Sequence, residues 1–108
     1  MPTESLSNIC NHSLYKSKAE DVIILDVKAV SSFADEIIIA TANSNRHANS
    51  VSNKLVEALK ENKINIIGVE GESSSGWILV DCGDVVINIM RKEQREFYDL
   101  ESLWGEMM

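Results

Sequence analysis

Apolar positions along this chain change their spacing from one segment to the next, and each change marks an element. Leu6, Ile9, Cys10 and Leu14 recur at helical intervals within residues 3–14. They predict an amphipathic helix with Thr3 as its cap. The polar stretch KSKAED, residues 16–21, ends it. VIILDV, residues 22–27, is an almost unbroken apolar run, too short for a helix and rich in β-branched side chains. Such a run predicts a strand buried on both faces. After a connection over residues 28–34, Ile37, Ile38 and Ile39 begin a second buried strand that reaches Thr41. Ser44 then stands where its hydroxyl can accept from the first backbone donors of a helix. That helix is predicted over Asn45–Asn62, with Ala48, Val51, Leu55, Ala58 and Leu59 inward. Lys54, Glu57, Lys60 and Glu61 face water, where opposite charges form surface pairs worth about a few tenths of a kcal/mol each.

Residues 64–69 return as a third strand, so strand, helix and strand form a βαβ unit with a right-handed crossover. The polar stretch EGESSSG, residues 70–76, predicts a flexible loop. WILVDC and DVVINIM supply two further strands, joined by a tight turn at Asp81-Cys82-Gly83-Asp84 in which Gly83 provides the positive φ. A short helix over residues 92–98 follows, then a further turn carrying Leu100, Leu103 and Trp104. The element order is α-β-β-α-β-β-β-α. It predicts an α/β fold with a mixed five-stranded sheet flanked by helices. Residues 1–108 form a single domain, as expected for this length.

Charge adds a second layer to this picture. Residues 64–108 hold nine acids against three bases, which is −6 of the chain's −7. An acidic half bearing Trp77 and Trp104 points to a basic protein partner and argues against direct phosphate binding. No run of about 18 apolar residues occurs, so no membrane span is expected. The N-terminus shows neither a basic start nor an apolar run of the secretory kind, and a cytoplasmic location is expected. Cys10 and Cys82 are too far apart for a metal motif and are expected as free thiols. His12 and His47 have no Cys or acid at ligand spacing, so no metal is expected. His47 is either a surface residue of the helix start or a functional contact.

Six segments of the chain resemble one family when taken together: KAEDVIILDV, SSFADEIIIAT, SNRH, GVEG, GWILVDCGDVVINIM and REFYDLESLW. They resemble the bacterial ribosomal silencing factors, also called the Iojap family, over roughly residues 6–104, in order and with the expected spacing. The resemblance implies a fold related to nucleotidyltransferases. It also implies binding to the large ribosomal subunit through ribosomal protein L-fourteen, which blocks joining of the small subunit and represses translation. Ala42, Asn43 and Glu36 depart from the residues usual in the family.

A nucleotidyltransferase needs paired acids for Mg²⁺ and a Gly-rich phosphate loop before a helix. This chain has no Asp-x-Asp pair, Asp26 stands alone at its strand end, and TANSNRH contains no glycine. The fold is therefore expected without catalytic residues or a cofactor. The alternative is a nucleotidyltransferase-like enzyme using Asp26, Asp81 and Asp84 with Mg²⁺ and a nucleotide. A dimeric adaptor for another basic protein is a third reading.

Strand alternation places Trp77, Leu79 and Asp81 on one face and Ile78, Val80 and Cys82 on the other. The first face joins an aromatic anchor to a charge, which is hot-spot chemistry. Trp77 is either such an anchor or a core residue beneath a helix. Glu70, Asp81 and Asp84 supply negative charge beside these strands. Asp35, Asn45 and Arg46 come from the shared SSFAD and SNRH segments and serve either folding or binding. Contact with ribosomal RNA is expected to be peripheral at most, through Arg46 or Lys16 and Lys18. Tyr98, Leu103 and Trp104 pin the C-terminal helix, or Trp104 contributes to a homodimer.

Overall fold

The apolar runs at residues 22–27, 37–41, 77–81 and 85–90 become strands, and the two long periodic segments become helices. The computed structural model describes the backbone of residues 3–71 and 73–107, and the side chains of residues 6–71 and 74–104. The elements are α1 (Thr3–Lys16), β1 (Glu20–Asp26), β2 (Glu36–Ala42), α2 (Asn45–Glu61), β3 (Gly68–Glu70), a 3-10 turn (Ser73–Ser75), β4 (Trp77–Asp81), β5 (Val85–Arg91), α3 (Lys92–Tyr98) and α4 (Leu100–Met107). Thr3 lies within α1 itself, and its side chain is outside the described residues.

The strands form one mixed sheet in the order β1-β2-β5-β4-β3. β2 and β5 pair in parallel at its centre, and the other neighbours are antiparallel. Alternate residues of the central strands face two separate clusters. Ile38, Ala40, Ile87 and Ile89 meet Leu6, Cys10 and Leu14 of α1 and Val51, Leu55 and Leu59 of α2. Ile37, Ile39 and Met90 meet Val27 on the opposite face, with Leu100 and Trp104 of α4 packed over them. Trp104 also lies edge-on to Phe33, with ring centroids 6.1 Å apart.

Ser44 caps α2 as its position predicts. Its extended backbone leaves the hydroxyl free to accept from the His47 N–H at 2.9 Å. Gly83 adopts φ +83°, and the Gly83 N–H donates to Asp81 Oδ1 at 2.8 Å, so the β4–β5 turn forms as expected.

Three expectations change. β1 is an edge strand, with Ile24 41% exposed, rather than a strand buried on both faces. Its apolar run packs inward only where β2 and the helices reach it. The third strand shrinks to Gly68–Glu70 and lies two strands away from β2. Residues 64–67 are spent on leaving α2: Lys63 turns at φ +58°, and the Ile64 N–H donates to Leu59 O. The β2–α2–β3 unit therefore spans β5 and β4. The charged pairs expected along α2 do not form either. Among the described residues the ion pairs are Arg91–Glu93 at 3.7 Å and Arg95–Glu101 at 2.6 Å.

Arg95 fastens the C-terminal helices to the sheet. Asp21 sits at a bulge of β1 with φ +47°, which turns its carbonyl out of the ladder. Arg95 Nη1 donates to that carbonyl at 2.6 Å and to Thr41 Oγ1 at 2.7 Å, while Arg95 Nε donates to Glu101. The guanidinium thus joins β1, β2 and α4, and its own helix α3 comes with it.

Both cysteines are free, and burial pushes both thiols up, Cys10 to about 12 and Cys82 to about 11. The neutral thiol is the species that the fold accommodates.

Arg95→Ala removes three charge-assisted bonds and should destabilise the fold by about 2 kcal/mol. Urea unfolding measures this, and hydrogen exchange should show the largest loss of protection in α3 and α4. The thiols give a second prediction. Native protein at pH 8 should alkylate slowly at both cysteines, because the thiolate is the reactive form, and urea should abolish the protection. Since both folded values are raised, this stabilisation is complete below the ordinary 9.0 and is lost as pH climbs toward 11 and 12. Stability that stays constant from pH 8 to 11 would contradict it.

Candidate functional site

The face of the sheet opposite α1 and α2 is only partly covered. α3 and α4 lie over its β1–β2–β5 side. Beside them, β4 and β3 expose an open groove of about 700 Å³. Its floor holds Trp77 and Leu79, and Glu70 stands beside them because Glu70 pairs with Leu79 across the β3–β4 ladder. Glu93, Phe97 and Tyr98 of α3 form the opposite wall. Among the described residues no basic residue lines this groove.

Trp77 is held from three sides. Its indole N–H donates to Asn88 Oδ1 at 2.9 Å, and Asn88 is 3% exposed. Its ring lies against Tyr98 with centroids 4.8 Å apart, and Tyr98 in turn meets Phe97 edge-on at 5.0 Å. The backbone of Trp77 is fixed by Ser75, whose hydroxyl donates to the Trp77 carbonyl at 3.0 Å. Gly71 passes so close that a Cβ there would lie 2.2 Å from that carbonyl. Trp77 is therefore half-buried and oriented, with one side of its indole open to the groove. Phe97, at 80% exposed, carries the largest apolar surface beside it. Oriented rings with open faces suit the burial of a partner's side chains.

The predicted alternation holds. Trp77, Leu79 and Asp81 share the half-covered face, and Ile78 and Val80 are buried toward α1 and α2. The predicted residues nonetheless fall into three places. Trp77, Leu79 and Glu70 line the groove. Asp81 is on the same face but four residues along the strand, roughly 13 Å away, and one of its oxygens is used by the turn. Asp84 is exposed in that turn, and its carbonyl accepts the N–H groups of Asp35 and Glu36. Asp35, Asp81 and Asp84 thus gather at one end of the strands, near Asp26, which pairs with Glu36. Among the described residues, no three His, Cys, Asp or Glu side chains are grouped to hold a metal ion. Asn45 and Arg46 lie at the opposite end of the strands, at the start of α2, where Asn45 Oδ1 accepts from Arg91 Nη1 at 3.3 Å.

His47 is a fastening residue. Its Nδ1 accepts the Asn43 N–H at 3.0 Å, and a backbone N–H can only donate. Nε2 therefore carries the proton and donates to the Ser17 carbonyl at 2.8 Å. The ring ties the end of α1 to the start of α2.

Sequence reasoning missed Phe97, Glu93 and Gln94. All three lie on α3, and nothing in the sequence of a seven-residue helix tells which side meets the sheet. The adjacent aromatics Phe97 and Tyr98 were the available signal.

Residues 2–108 match the family described as "Ribosomal silencing factor during starvation". The chain is 38% identical to a ribosomal silencing factor of Chromobacterium violaceum, over 97% of this chain and 86% of that one. A crystal structure from the same organism superposes with a TM-score of 0.94 at 38% identity, covering 97% of this chain and 88% of the other. A more distant mouse relative, "Mitochondrial assembly of ribosomal large subunit protein 1", is 32% identical over 84% of this chain and 41% of its own length. Among the described residues no helix is long and apolar enough to cross a membrane.

Trp77→Phe keeps a ring against Tyr98 but leaves buried Asn88 without its donor. It should cost about 1–2 kcal/mol in urea unfolding, and Asn88→Leu in the same background should recover part of that loss. A Trp77→Phe variant as stable as the parent would show that the indole bond contributes nothing.

Proposed function

The chain belongs to the ribosomal silencing factor family, and we propose on that premise that it is a ribosome-associated regulator of translation. In this reading it docks on the large subunit through ribosomal protein L-fourteen and keeps the small subunit from joining. The observation that carries the reading is the groove beside α3: open aromatic surface on Trp77, Phe97 and Tyr98, edged by Glu70 and Glu93. A basic ribosomal protein complements that combination. Apolar burial in the groove supplies affinity, while acid on the rim speeds encounter and sets orientation. The acids Asp35, Asp81 and Asp84 at the far end of the strands extend the same negative field.

Silencing of this kind needs occupancy alone, without a cofactor or a chemical step. The half-buried Trp77 is better suited to the centre of the contact than to its rim, because its orientation is already fixed and little freedom is lost on binding. Contact with ribosomal RNA is peripheral. A second copy of the chain seated on the same groove would compete with the ribosome.

Co-sedimentation with purified large subunits tests the reading. Wild type should travel with the subunit. Phe97→Ala and Trp77→Ala, each confirmed as folded by circular dichroism, should bind about 30-fold more weakly, the equivalent of about 2 kcal/mol. Glu70→Lys should slow association and reduce its salt dependence. Wild type that remains at the top of the gradient overturns ribosome docking. Wild-type binding that survives loss of both rings overturns the groove as its site.

A further inference from the structure

On the α1–α2 side of the sheet one cleft carries the opposite charge. A cleft of about 440 Å³ lies where the end of α1 meets the start of α2, lined by Lys16, Lys18, Arg46 and Lys54 together with Ser17 and His47. No acid lines it. The chain has ten bases against seventeen acids, so four bases lining one cleft run against its own composition, and Lys16 and Lys54 also line the neighbouring cleft that holds Glu57 and Glu61. None of the four is in an ion pair among the described residues.

Two further features point to an anion. Ser44 takes the N–H groups of His47 and Ala48 through its hydroxyl and carbonyl. The N–H groups of Asn45 and Arg46 have no acceptor among the described residues, and they carry the positive end of a 17-residue helix. Ser17, 7% exposed, is among the residues that line the cleft, and its hydroxyl has no hydrogen-bond partner among the described residues. A buried hydroxyl is seldom left unmatched. His47, by bridging Asn43 and Ser17, holds the two sides of the cleft at a fixed separation.

We propose that this cleft is a phosphate-binding site. Lys16, Lys18, Arg46 and Lys54 supply the charge, the N-terminus of α2 supplies directed donors, and Ser17 supplies a hydroxyl. The group it takes is a phosphate rather than a carboxylate, because donors approach from both helices and match oxygens spread over more than one side. The source is either the backbone of an RNA or a small free phosphate. The site lies on the other side of the sheet from the groove, so a phosphate and a protein can be held together.

The test is an amide chemical-shift titration of the full chain at low ionic strength, with inorganic phosphate in one series and a short RNA hairpin in the other. The expected result is saturable shifts centred on Ser17, Asn45 and Arg46. The double substitution Lys18→Glu with Arg46→Glu, both exposed positions, should weaken binding at least about tenfold and lower the salt slope by about 2. Ser17→Ala should weaken binding without lowering the melting temperature, since its hydroxyl supports nothing in the free protein. Saturation by both probes assigns a free phosphate, and saturation by RNA alone assigns an RNA backbone. No saturation with either probe, or shifts that the double substitution leaves unchanged, overturns the proposal. Either outcome is independent of whether the groove docks on the ribosome.

Discussion

The parallel pairing of β2 with β5 is the constraint on which the rest of this molecule depends. Both strands are apolar on both faces, so each side of the sheet needs its own cover. One side receives α1 and α2, long enough to span the sheet. The other receives only α3 and α4, which are short and reach the β1–β2–β5 side. The β4–β3 side is left open, and the groove is what remains. The candidate interface therefore follows from an unequal division of helical length between two faces that both demand burial.

That second cover is held largely by polar contacts. A bulge in β1 presents the Asp21 carbonyl, the fold places Thr41 beside it, and Arg95 takes both while holding Glu101. The apolar contribution comes from Leu100 and Trp104 over Ile37, Ile39 and Met90. Tyr98 then leans on Trp77, so the wall of the groove and its floor are parts of one contact. Positioning of the candidate anchor residues is in this way coupled to the packing of the C-terminal helices.

Charge is sorted by the same architecture. The groove is edged by acid and the α1–α2 cleft by base, although the chain as a whole is acidic. Sequence position gives a blurred view of this. The described acids of residues 64–108 are spread over both ends of the strands as well as the groove. The bases of the cleft come from α1, the loop after it and α2, which are apart in sequence and adjacent only after folding.

The apolar spacing by itself determined the helices and most of the strands, the β4–β5 turn at Gly83, the Ser44 cap and the division of β4 into two faces. These are local, because backbone periodicity and cap chemistry act over a few residues. The resemblance carried by the six segments likewise determined the family. Only the tertiary structure decided that β1 is an edge and that β3 shrinks to three residues beyond β4. It alone separated Asp35, Asp81 and Asp84 from Trp77, and brought Phe97 and Glu93 to its side. Alternation specifies the face on which a side chain stands. How far along that face it lies from another, and what covers it, depends on strand order and on helices packed from remote parts of the chain, which no local pattern records.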